Sequence, residues 1–142
     1  MATASRASSP GWFRAAAIIA CIWNAFGVVM YLSSVGMFGD PMAGLDEGQR
    51  AAASSIPPWI TGAFAIGTFA GLIGSIGLFV RKAWAQPVLI VSLIGLLVLE
   101  GWILFLSGHR DDFGLAVPIM VSAGAILIAW LATHARSRGW LT

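Results

Sequence analysis

Charged side chains are scarce in this sequence. They make up 10% of its 142 residues, whereas soluble domains typically contain about 25%. So few charges cannot cover the water-facing surface of a folded domain of this length. Hydrophobic residues account for 58% of the chain, and several long stretches contain no Asp, Glu, Lys or Arg. The scarcity of charge therefore excludes an ordinary soluble domain and indicates that lipid surrounds most of the chain.

Cysteine and histidine are nearly absent, and catalytic motifs are lacking. Cys21 is the only cysteine and cannot form an intrachain disulfide. His109 and His134 are separated by an apolar stretch long enough to cross a membrane, so they cannot share a metal ion. The sequence contains no Walker A, HExxH, CxxC or GxSxG motif. We therefore predict a protein that is not an enzyme and that carries no cofactor and no metal.

Four apolar segments are long enough to span a membrane, near residues 13–36, 58–80, 84–106 and 114–133. A hydrocarbon core of about 30 Å requires about 20 helical residues. Each segment is continuously apolar, without the alternation of a membrane β-strand. The sequence predicts an all-α membrane protein, a four-transmembrane-helix bundle that forms one domain. Residues 1–11 are expected to be a disordered tail, and a short interfacial helix is expected around Leu45 to Ala53.

The basic residues are distributed unequally between the two sides of these spans. Arg50 and Arg110 fall on one side. The other six of the eight fall on the side of both termini: Arg6, Arg14, Arg81, Lys82, Arg136 and Arg138. The positive-inside rule predicts a bacterial inner-membrane protein with both termini in the cytoplasm. A cleaved secretory signal is the alternative interpretation of the first span, but its apolar run exceeds the usual length of about 7–15 residues.

Small residues recur every four positions along one face of the second span. Such a small-xxx-small surface lets two helix backbones approach closely in lipid. We expect this face to pack against the first or third span of the same chain, or to form the interface of a homo-oligomer. The surface consists of Ala63, Gly67, Gly71 and Ser75, with Gly74 beside them.

Polar side chains within the spans are the candidates for a functional site. Asn24 and Thr68 lie near mid-depth, and Tyr31, Thr61 and Glu100 lie nearer the outer face. Asn24 is seven positions from Tyr31, and Thr61 is seven positions from Thr68, so each pair shares one helical face. These residues could line one seam between helices. For Asn24 itself, a structural hydrogen bond between spans is favoured over contact with a substrate.

Glu100 is the most informative of these residues. A carboxyl within a span is costly and usually faces a partner or a wet cavity. One interpretation is that Glu100 simply reaches the headgroup region. The other is a protonatable site hydrogen-bonded to Tyr31 or Thr61.

Several short segments resemble those of a proteobacterial family of small four-span inner-membrane proteins of about this length. The segments are WNAFG at 23–27, PW at 58–59, AIGTFAGLIGS at 65–75 and RKAWA at 81–85. Members of that family are often labelled sugar transporters, so the resemblance implies a role in transport. It implies no particular site residues.

Two functions follow from these observations. The first is transport of a small solute, such as a sugar, by a homo-oligomer, because four short spans enclose little room. The alternative is a non-catalytic accessory subunit of a larger membrane complex. The expected partners are the lipid bilayer and either further copies of the chain or a larger membrane protein. Nucleic acid is not expected, since a net charge of +2 reflects membrane topology.

Overall fold

A computed structural model describes residues 8–142 of the chain. Within this range the structure is all-α, with no strand. The third long helix continues beyond α4 as a π-helical segment, Trp102–Leu106. The helices are α1 (Gly11–Ser34), α2 (Glu47–Ser54), α3 (Pro58–Phe79), α4 (Ala85–Gly101), α5 (Arg110–Phe113) and α6 (Ala116–Ser137).

Four of these helices are long and apolar enough to cross a membrane: Gly11–Ser34, Pro58–Phe79, Ala85–Leu106 and Ala116–Ser137. The predicted four-transmembrane-helix bundle is therefore confirmed, and the chain is a multi-pass membrane protein. Residues 1–7 of the predicted disordered tail lie outside the described residues, and α1 begins within the last part of that tail, at Gly11.

Local sequence accounts for the ends of the shorter and longer helices. In α2, the Asp46 carboxylate accepts a hydrogen bond from the Gln49 backbone N–H at 2.8 Å, and the Gln49 side chain accepts one from the Asp46 N–H at 3.2 Å. This reciprocal capping box satisfies two donors that the first turn would otherwise leave free. Pro58 occupies the first turn of α3, where a missing N–H costs nothing.

The order of packing is α1, α3, α4, α6. The α3–α4 contact is the most extensive, α1 packs on α3, and α6 packs on α4. Neighbouring helices run antiparallel, so the bundle has two distinct ends. We call the end with residues 8–14, 80–84 and 138–142 the terminal end, and the end with residues 35–57 and 107–115 the loop end.

Each end of the bundle has its own apolar cluster. The cluster at the terminal end consists of Phe13, Ala17, Leu78, Ala85, Leu89, Leu131, Ala132, Ala135 and Leu141. The cluster at the loop end is built on Ile60, Leu99, Trp102 and Ile103. The buried polar side chains of Asn24, Thr68, Ser75 and Ser92 lie between the two clusters, whereas the buried Glu100 lies beside the cluster at the loop end.

The last four residues fold back onto the turn between α3 and α4. The Arg81 Nε donates a hydrogen bond to the Trp140 carbonyl at 2.8 Å, and the Thr142 N–H donates to the Arg81 carbonyl at 2.7 Å. The Ala83 N–H in turn donates to the Thr142 carbonyl at 3.0 Å. Leu141 is buried in the terminal cluster. The C-terminal segment thus closes the terminal end of the bundle.

Candidate functional site

A layer of hydrogen bonds joins three helices at mid-depth. The Asn24 side-chain N–H₂ of α1 donates to the Ser75 hydroxyl of α3 at 3.0 Å and to the Ala20 carbonyl at 2.9 Å. The Ser92 hydroxyl of α4 donates to the Gly67 carbonyl of α3 at 2.6 Å. All three side chains are buried. Because these side chains are hydrogen-bonded to other groups of the bundle, they link neighbouring helices.

Glycine makes this layer geometrically possible. A Cβ atom on Gly71 would overlap the Asn24 amide oxygen and would lie 2.9 Å from the Ser92 Oγ. One turn away, a Cβ on Gly67 would lie 2.8 Å from the Leu96 Cδ2. Any side chain at these positions would push α1 or α4 away from α3.

The same contacts limit how copies of the chain could associate. Gly67 and Gly71 are buried, and the atoms that cover them belong to α1 and α4 of the same chain. Gly74 is covered in the same way by Leu89. In the described structure the Gly67–Gly71 face therefore packs against α1 and α4 of the same chain.

The remaining predicted polar residues do not converge on one seam. The Thr68 hydroxyl is bonded within its own helix, to the Phe64 carbonyl at 3.0 Å. The Tyr31 ring packs edge-on against Phe64 and Phe69, with centroid distances of 5.4 and 5.7 Å. Thr61 is half-buried near the loop end of α3. Of the predicted set, only Asn24 enters the mid-depth layer.

Glu100 lies in the interior of the bundle, near the loop end. It is 5% exposed, so the interpretation in which its side chain reaches the headgroup region is wrong. Its Oε2 atom is buried and has no hydrogen-bond partner among residues 8–142. The expected hydrogen bond to Tyr31 or Thr61 is therefore not formed.

The backbone changes character directly after Glu100. From Trp102 to Leu106 the helix is π-helical, and the Ser107 N–H donates to the Trp102 carbonyl five residues earlier, at 2.8 Å. This π-helical turn ends the third long helix, so Glu100 lies one residue before the helix changes from α to π.

A small cavity lies between α1, α4 and α6. It measures about 10 Å³ and is bordered by Asn24, Ser92 and Leu96 among others. That volume is about enough for one water molecule. A groove of about 360 Å³ opens instead on the outer surface at the loop end, beside Met30, Phe38 and Asp40.

The loop end holds the accessible titratable pairs. The His109 Nδ1 and the Asp112 Oδ2 are 3.1 Å apart, and both side chains are more than a third exposed. Among residues 8–142 no group of three or more His, Cys, Asp or Glu side chains could hold a metal ion. The contact between His109 and Asp112 is therefore a solvent-exposed hydrogen bond at the loop end.

Sequence reasoning underestimated two parts of the site. Ser92 lies near mid-depth by helix length alone, but its bond to a carbonyl of α3 depends on how α4 is rotated. A serine inside an otherwise apolar run is the available signal. The docking of residues 139–142 has no sequence signal, because so short a segment shows no periodicity.

Comparisons with known proteins add no relative: no protein family, no curated protein and no solved structure matches this chain.

Proposed function

We propose that this chain is a non-catalytic accessory subunit of a larger complex in the bacterial inner membrane. The small volume of the cavity between α1, α4 and α6 is the observation that carries the proposal. Sites that hold small molecules usually measure about 300–1,000 Å³, whereas the cavity between the helices measures about 10 Å³. The groove of about 360 Å³ is lined only by the end of α1 and the segment after it, so it does not lie between helices. The polar groups that a solute would need at mid-depth, on Asn24, Ser75 and Ser92, are engaged with one another and with backbone carbonyls.

The distribution of charge supports an orientation with both termini in the cytoplasm. The loop end has only Arg50 and Arg110 as basic residues, together with five acidic ones. The basic residues described at the terminal end are Arg14, Arg81, Lys82, Arg136 and Arg138. Positive charge concentrates on the cytoplasmic side of inner-membrane proteins.

The outer helices offer surface for a partner helix. In α1 only 17% of the membrane-spanning window is buried within the chain, against 44% for the helix that begins with α4. Its outer face carries Ile19, Ile22 and Phe26, each more than 60% exposed. An apolar face of this kind packs equally well against lipid or against another transmembrane helix.

Two measurements together test the proposal. The first is purification from native membranes in a mild detergent, with mass spectrometry of the bound proteins and the mass of the particle. We expect a partner at fixed stoichiometry. The second is sugar uptake by vesicles containing only the pure chain, for which we expect no more uptake than in empty vesicles. A pure homo-oligomer with uptake above that background would refute the proposal.

Solute transport remains the second candidate, and Glu100 is the observation that favours it. A buried carboxyl without a partner is costly in a membrane and is typical of ion and proton pathways. Since Glu100 faces the inside of its own bundle, the pathway would have to open within one chain. In the same vesicle assay, Glu100→Gln would then abolish uptake, whereas Glu47→Gln, which alters an exposed carboxylate of α2, would leave it unchanged.

A further inference from the structure

At the terminal end of the bundle, the Arg136 side chain of α6 is hydrogen-bonded to an uncharged side chain of α4. The Arg136 Nη1 donates to the Gln86 side-chain oxygen at 2.6 Å. The Gln86 side-chain nitrogen donates to the Thr133 hydroxyl at 3.4 Å, and that hydroxyl donates to the Ala129 carbonyl at 3.0 Å. The guanidinium is thus oriented by a chain of hydrogen bonds that crosses from one helix to the other.

This arrangement leaves the positive charge of Arg136 uncompensated. An amide oxygen accepts a hydrogen bond without adding a negative charge, and a guanidinium has five N–H donors. No aspartate or glutamate lies at the terminal end in the described part of the chain. All six acidic residues belong to the other half of the bundle: Asp40, Asp46, Glu47, Glu100, Asp111 and Asp112. An oriented guanidinium without a carboxylate is suited to bind a phosphate.

The surface next to Arg136, toward mid-depth, is apolar and suits the acyl chain of a lipid. By helical spacing, Ile90 lies on the same face of α4 as Gln86, and Ile126 lies on the same face of α6 as Thr133. Ile90 is 40% exposed and Ile126 is 52% exposed. Exposed apolar side chains of α4 and α6 therefore follow this polar group toward mid-depth, and an acyl chain can lie against them.

We infer that the surface formed by α4 and α6 at the terminal end is a binding site for an anionic phospholipid. Arg136 binds the phosphate, Gln86 orients the guanidinium, and the acyl chain lies along Ile90 and Ile126. Basic sites between transmembrane helices are known to bind anionic headgroups in this manner. The inference does not depend on the accessory role, because it concerns the lipid-facing side of the chain and not its partner.

The test uses the full-length chain in a neutral detergent, titrated with phosphatidylglycerol and followed by native mass spectrometry. We expect one lipid to bind and Arg136→Gln to weaken binding by about tenfold or more, as expected for loss of a charge-assisted hydrogen bond. Gln86→Glu should weaken it similarly, since it places a carboxylate beside the guanidinium without removing the arginine. Helix content by circular dichroism verifies that both variants fold.

Arg14→Gln is the matched control. It removes one positive charge from the same end of the bundle, but on α1, outside the hydrogen-bond chain that joins Arg136, Gln86 and Thr133. We expect it to leave binding unchanged. Equal weakening by Arg14→Gln and Arg136→Gln would overturn the inference, as would unchanged binding in both Arg136→Gln and Gln86→Glu. Displacement of the lipid by an equal concentration of glycerol phosphate would also overturn it, because the acyl chain would then contribute nothing.

Discussion

Replacement of Glu100 by leucine should stabilise the folded bundle. The Oε2 atom of Glu100 is buried without a hydrogen-bond partner in the described structure, and an unsatisfied buried polar group costs about 1–3 kcal/mol. Leucine has a similar size and would face the same apolar surroundings as Leu96 and Ile103, which lie on the same side of the helix. We expect the free energy of unfolding to rise by about 1–3 kcal/mol, a sign opposite to that of most substitutions.

The assay is reversible unfolding, from a mild detergent into dodecyl sulfate, followed by circular dichroism. Glu100→Gln is the control, because it retains a polar group at the same buried position and should change the stability much less than leucine does. A loss of about 1 kcal/mol or more in Glu100→Leu would refute the reasoning. It would mean that the carboxyl has a favourable partner in the folded protein.

Three further predictions use the same unfolding assay. Gly71→Ala should destabilise the bundle by about 1–3 kcal/mol through overpacking. Gly62→Ala is the control and should be neutral or slightly stabilising, because a Cβ at Gly62 would meet no atom within 4 Å. Equal effects of the two substitutions would contradict the close packing around Gly71. A double-mutant cycle of Asn24→Leu and Ser75→Ala should give a coupling of about 0.6–2 kcal/mol, and zero coupling would exclude their hydrogen bond. Leu141→Ala should cost about 2–3 kcal/mol, and no loss would show that the C-terminal segment is not docked.

The membrane class and the helical spans were predictable because they depend on local composition. Whether a segment of about 20 residues enters the membrane is decided by the free energy of transferring its own side chains from water to lipid, and not by contacts with other segments. The third span illustrates the point. It was predicted near 84–106 despite Glu100, and the structure has a helix at Ala85–Leu106, since one carboxyl does not outweigh so many apolar residues.

The depth of each candidate site residue in the membrane was predictable from the sequence, but its contacts were not. Helix rise alone places Asn24 at mid-depth and Glu100 nearer one end. Whether each side chain meets a partner depends on the rotation of its helix and on its neighbours. Asn24 meets Ser75, whereas Glu100 meets no hydrogen-bond partner in the described residues. The depth of a residue depends only on its position along its own helix, whereas a hydrogen bond between helices depends on how two helices are placed.

Sequence by itself determined that this chain spans a membrane with four helices. The free energy of transfer into lipid and the length of a helix are both sums over consecutive residues, so they can be read from the sequence. Only the tertiary structure decided that the glycine face of α3 is covered by its own neighbours, that Glu100 points inward, and that Leu141 returns to the terminal cluster. In lipid every face of an apolar helix is nearly equivalent, so the choice among faces is made by close packing and hydrogen bonding between helices. Those interactions exist only once the helices have assembled.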